Sequence, residues 1–144
     1  MKFILTPAIV AAVLGLSAAP AWSDAPQTCS LASLKGTMAW SGVTTRPGGV
    51  QKSSSGMESY DGVGHMKYFQ LQSDGITQSK FSGTGTYTIT QGCIATVVYD
   101  GDTANPWTYF VAPDGSTYFY NNNLGFGAIS AGHVDRISRA LLVQ

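Results

Sequence analysis

From residue 35 onward, apolar and polar residues alternate at a period of two, and almost nothing repeats at the helical period of 3.6. The alternation predicts eight strands, over 35–45, 56–60, 65–72, 76–90, 93–99, 107–112, 116–120 and 126–133. Ahead of them, Ser30 to Leu34 can form a short helical turn, and a tail runs from Val134 to Val143. Turn chemistry separates the strands. Arg46-Pro47-Gly48-Gly49, Asp61-Gly62, Ser73-Asp74-Gly75, Gln91-Gly92 and Pro113-Asp114-Gly115 supply positive φ or a preset bend at little cost. Gly83 and Gly85, inside the fourth strand, suggest a bend or a bulge. Eight strands joined by tight turns describe an antiparallel meander, which can close on itself and leave no open edge. A two-sheet sandwich is the alternative, but the turns are too short for Greek-key crossovers. The expectation is an all-β, single eight-stranded barrel.

The first residues follow a different pattern. Met1-Lys2 leads into Phe3-Ile4-Leu5 and an apolar stretch through Ile9 to Leu14 and beyond, then into small residues. That is the three-part layout of a secretory leader, with cleavage expected after Ala21 or Ser23. A run of about 15 residues is short for the ~20 that a spanning helix needs. The reading is therefore a signal peptide over 1–23 and a barrel domain over 24–144, placed in the periplasm or secreted, with no membrane insertion after cleavage. With Lys2 removed, seven basic residues face eight acidic ones, a net charge of about −1. No long-range field draws such a chain to nucleic acid or to an anionic membrane. Only two cysteines are present, and in an exported protein Cys29 and Cys93 are expected to pair as a disulfide. His65 and His133 show no metal-ligand spacing with either cysteine, so no metal and no cofactor are expected.

The order Cys29, Leu34-Lys35-Gly36-Thr37, Tyr60-Asp61-Gly62, Ser82 to Ile89 and Gly92-Cys93 resembles a group of small secreted bacterial proteins of unassigned function. Their shape is similar to lipocalin-like and allene-oxide-cyclase-like eight-stranded barrels. The resemblance implies a barrel that takes an apolar substrate or ligand, often as a homodimer or homotrimer. Its motifs lie in turns and strands and carry no chemistry of their own. The chain departs from that pattern at one informative position. Gly56, Glu58 and Tyr60 share a face, and Glu58, the sequence's sole glutamate, stands where the pattern carries an aliphatic residue.

Glu58 is the first candidate for chemistry. If Tyr60 points inward, so does Glu58, and an inward carboxyl in an apolar barrel can serve as general acid or base near neutral pH. Tyr60, His65 and Lys67 are candidates to orient a substrate beside it. The periodicity leaves open whether His65 and Lys67 line the cavity mouth or decorate a surface whose core face is Met66 and Tyr68. Aromatic residues make up 11% of the chain, and Trp40, Tyr68, Tyr87, Trp107, Tyr109 and Phe119 are the expected lining of a ligand cavity. Because aromatics occupy both faces near 107–110 and 118–120, some must lie outside, which suits a subunit contact or a binding surface. No nucleophile elbow, His-Glu-x-x-His motif or phosphate-cradling loop occurs. These features point to an exported barrel that binds a small apolar or aromatic molecule. The alternatives are a cofactor-independent isomerase, cyclase or lyase using Glu58, and an oligomeric interaction protein.

Overall fold

The computed structural model of the chain describes residues 28–123 and 127–142; the leader read over 1–23 and the aromatic Phe126 lie outside the described residues. All eight predicted strands are present: β1 Gly36–Thr45, β2 Gln51–Tyr60, β3 His65–Ser73, β4 Gln78–Ile89, β5 Ile94–Tyr99, β6 Trp107–Val111, β7 Thr117–Asn123 and β8 Ile129–Ser138. Each pairs antiparallel with its neighbour, and β8 returns to β1, so the sheet closes into a barrel rather than splitting into a sandwich. Closure hides every strand edge, which matters for a chain so rich in β-forming sequence.

Three elements run further than the alternation indicates. β2 starts at Gln51 because Ser53, Ser54 and Ser55 pair with Val43, Gly42 and Ser41 of β1. β7 continues through the asparagines, where buried Asn122 accepts the Thr108 N–H at 3.0 Å. The expected tail is strand as far as Ser138: Val134 faces the core at 1% exposure and pairs with Tyr118. Gly83 and Gly85 make no bulge. β4 pairs with β3 in continuous register, and these glycines sit opposite Tyr68 and Met66.

The two ends of the barrel differ. One is plugged by a short 3-10 helix, η1 Leu31–Leu34, whose Leu34 is fully buried. Tyr87 donates its hydroxyl to the Leu31 carbonyl at 3.0 Å, and the Arg136 guanidinium donates to the Ser33 carbonyl. The Cys29–Cys93 disulfide ties this plug to the start of β5. Below mid-height the interior is packed solid by Leu34, Met38, Tyr60, Met66, Tyr87 and Val97.

Reducing the disulfide reopens a loop with a sequence separation of 64 residues. Loss of about 4 kcal/mol is expected from the chain-entropy relation, together with release of the plug. Urea unfolding of a Cys29→Ser/Cys93→Ser double variant checks this, and an unchanged midpoint would show that the barrel holds its plug without the crosslink.

Outside the barrel, Ile94, Phe110 and Phe119 pair across β5, β6 and β7 and form an exposed apolar row. Some aromatics thus lie on the outer face, as the sequence requires.

Candidate functional site

The upper half of the barrel is hollow. A cavity of about 250 Å³ opens between Thr44, Ser54, Gln70, Gln72, Asp100 and Asp102 at the mouth and descends to Glu58, Tyr109 and Tyr118. The wall is a belt of five rings. Tyr68 meets Tyr99 edge-on at 4.9 Å, Tyr99 meets Trp107 at 6.1 Å, Trp107 meets Tyr120 at 5.3 Å, and Tyr120 meets Trp40 at 6.4 Å, all T-shaped. Edge-to-face contacts suit the ring quadrupoles and hold each ring upright. Trp40, Tyr68, Tyr99 and Trp107 are only half-buried, so part of each ring surface is left to the cavity.

Glycine makes room for the belt. Trp40 pairs with Gly56, Tyr68 with Gly83, Tyr99 with Gly85 and Tyr120 with Gly132. A Cβ on Gly132 would stand 2.3 Å from the Tyr120 hydroxyl and 2.5 Å from the Ser41 carbonyl. On Gly83 it would stand 3.0 Å from the Tyr68 ring. Aromatic strands thus alternate with glycine strands around much of the wall; Trp40, Tyr68 and Tyr120 lie over Gly56, Gly83 and Gly132, and the Met66 sulfur lies over Gly85.

The floor is a single carboxylate ringed by tyrosines. Glu58 is 2% exposed, inward beside Tyr60 as its parity predicts. Tyr60 and Tyr118 each donate to Glu58 Oε2 at 2.5 Å, and Tyr99 donates to Oε1. Tyr109 has one proton to give and two acceptors in reach, the Tyr99 oxygen at 2.9 Å and Glu58 Oε1 at 3.4 Å. The shorter contact wins, so its proton supports Tyr99, which supports the carboxylate. Tyr109 and Tyr118 also stack at 4.5 Å, nearly parallel. Burial first, and the Glu58 charge second, hold the Tyr60, Tyr99, Tyr109 and Tyr118 hydroxyls well above their ordinary pKa. The same two causes push Tyr120 to about 12. All five are neutral donors across the physiological range.

The candidates named from sequence separate into three groups. Glu58, Trp40, Tyr68, Trp107 and Tyr109 come together around the cavity. Tyr60 and Tyr87 lie beneath it: Tyr60 holds Glu58 from below, and Tyr87 packs edge-on against Tyr60 at 5.0 Å. His65, Lys67 and Phe119 are outside. The His65 ring sits on Asp61, Nδ1 to Oδ2 at 3.0 Å, and Lys67 is exposed on the same outer face of β3. Phe119 lies against the His133 ring at 4.7 Å, tilted by 46°, with 55% of its surface exposed. The core face of β3 is therefore Met66 and Tyr68, which excludes His65 and Lys67 from the Glu58 neighbourhood. Arg136 points to the plug and not to the cavity.

Tyr99, Tyr118 and Tyr120 belong to the site and were not singled out as its residues by sequence. For Tyr99 a signal existed: Ala95, Val97 and Tyr99 share one face, and the first two are fully buried. Among the described residues, no group of three His, Cys, Asp or Glu side chains is gathered to hold a metal. No helix among them is long and apolar enough to cross a membrane.

No family model and no curated protein matches the chain. Among solved structures it is similar to a redesigned β-barrel, mFAP1, bound to DFHBI. That likeness has 18% identity and a TM-score of 0.45, and it covers 74% of this chain and 98% of that one.

Proposed function

We propose that the protein binds one small molecule inside the barrel, with an apolar body held by the ring belt. The observation that carries this is the hollow upper half. Five rings line open space rather than closing it, each opposite a glycine or edge-on to its neighbour. An eight-stranded barrel has room either for a packed interior or for one small ligand. Here the lower half takes the first course and the upper half the second.

Acid–base catalysis at Glu58 is the weaker reading. A general base needs a lone pair free to meet the substrate proton. Three hydroxyl donors take up most of the acceptor capacity of this carboxylate, and the two residues expected to assist it, His65 and Lys67, stand outside the barrel. The leader-like start of the sequence and the disulfide support placing the binding in the periplasm or outside the cell.

Ser54 faces inward at the mouth, on a stretch of β2 with no large side chain. A Ser54→Trp variant is expected to close the cavity while the barrel's circular dichroism stays unchanged. Calorimetric titration with a panel of compact aromatic compounds should give one saturable site in the parent, weakened at least ~10-fold in the variant, the ~1.4 kcal/mol scale of a lost apolar contact. Equal binding by both proteins would move the site off the interior.

A further inference from the structure

The chemistry of the cavity surface selects a charge class, an inference that rests on the binding reading above. Among the described residues, its charged lining residues are Glu58, Asp100 and Asp102, with no lysine or arginine beside them. Among the described residues Glu58 has no cationic partner, and its hydrogen bonds come from hydroxyls. The four tyrosine protons nearest the floor all point toward Glu58 or toward one another, so what those hydroxyls offer a ligand is oxygen lone pairs. One buried donor, the Trp40 indole N–H, is without a partner, but it abuts the Gly56 backbone at the wall. Around this acceptor floor stand five aromatic rings, whose faces are negative by their quadrupole.

Gln70, Gln72 and Ser54 bring hydrogen-bond donors to the mouth, but the carboxylates, the tyrosine lone pairs and the ring faces all repel an anion. All of them attract a cation, and rings around an enclosed, partly desolvated space are the arrangement by which proteins hold ammonium groups. The volume of about 250 Å³ lies below the roughly 300–1,000 Å³ of drug-sized pockets, so the occupant is small. We propose that the ligand is a small organic cation, an amine or quaternary ammonium on a compact apolar body. Its charged head sits over the Glu58–tyrosine floor and its body lies within the Tyr68–Tyr99–Trp107–Tyr120–Trp40 belt. Asp100 and Asp102, at the mouth, raise the local concentration of such a ligand and favour its entry.

The test is calorimetric titration of the purified protein with three probes: phenyltrimethylammonium, its neutral carbon isostere tert-butylbenzene, and benzoate. The cation is expected to bind at least ~10-fold more tightly than the neutral isostere, on the scale of a desolvated cation–π site, and benzoate not at all. Glu58→Gln should erase most of that preference while leaving tert-butylbenzene binding in place. Should Glu58→Gln fail to fold, Tyr68→Leu serves instead, since Tyr68 is a belt ring outside the Glu58 hydrogen-bond network. It should weaken the cation several-fold more than the neutral probe. Tighter or equal binding of tert-butylbenzene would overturn the cation assignment and leave the cavity reading standing. Failure of all three probes to bind would overturn both.

Discussion

A Glu58→Leu variant is expected to lose about 3–5 kcal/mol of stability, although it removes a buried charge. Two effects oppose each other here. Taking a carboxylate out of water without a cation beside it costs several kcal/mol, and an apolar replacement recovers that cost. Against this, hydrogen bonds to a charged acceptor contribute about 1.5–3 kcal/mol each, and Tyr60, Tyr99 and Tyr118 all make one. Without the carboxylate the hydroxyls can regroup as Tyr60 with Tyr118, already at 3.1 Å, and Tyr99 with Tyr109, at 2.9 Å. Each such pair still leaves one O–H without an acceptor, at about 1–3 kcal/mol per buried group. The lost donors therefore outweigh the recovered solvation. Glu58→Gln, which keeps a carbonyl oxygen, should lose roughly half as much. Urea unfolding at neutral pH decides the matter. A Glu58→Leu protein as stable as its parent would mean that the carboxylate contributes nothing net to the fold and is kept for its ligand alone.

The largest pH effect lies on the alkaline side. Tyr60, Tyr99, Tyr109 and Tyr118 titrate well above 10.0 in the folded protein, because burial and then Glu58 disfavour the phenolate. In the unfolded chain they titrate near 10. The folded state thus holds more protons than the unfolded state above that pH, and the sign follows. Stability is fully present below about pH 10 and falls as the pH rises toward the folded-state values. Each group removes about 1.4 kcal/mol per pH unit, so four together remove on the order of 5 kcal/mol per unit. A domain holding ~5–15 kcal/mol is therefore expected to unfold on the alkaline side of pH 10. Tyrosinate absorbance followed beside circular dichroism should show these four ionising only as the barrel unfolds. Ionisation of all seven tyrosines near pH 10 with the dichroism intact would show that the cluster is open to solvent.

The fold was largely legible because its determinants are local. Period-two alternation and Asp-Gly turns mark strands one by one, and tight turns leave a meander little choice but to pair in order. The misses have physical causes. The serines at 53–55 carry no apolar face, so their strand is visible only through its pairing with β1. Gly83 reads as a bend until the register sets it opposite Tyr68. Within the site, Glu58 was legible from its parity with Tyr60, two positions on along the same strand. Its other partners were not. Tyr99, Tyr109 and Tyr118 lie 41, 51 and 60 residues away, and only closure of the barrel sets β2 facing β5, β6 and β7. For the same reason, parity alone could not decide His65 and Lys67, whereas the burial of Met66 and the lining position of Tyr68 did.

A ligand that enters the barrel lies against the belt. Two of the three tryptophans, Trp40 and Trp107, are belt residues, and their indole N–H groups give separate signals in a nitrogen–proton correlation spectrum. Titration with phenyltrimethylammonium should move both indole signals along one saturable curve and leave the backbone amides of Phe110 and Phe119, on the outer row, in place. Movement of the outer amides with both indoles still would contradict the account and place the binding surface on the outside of the barrel.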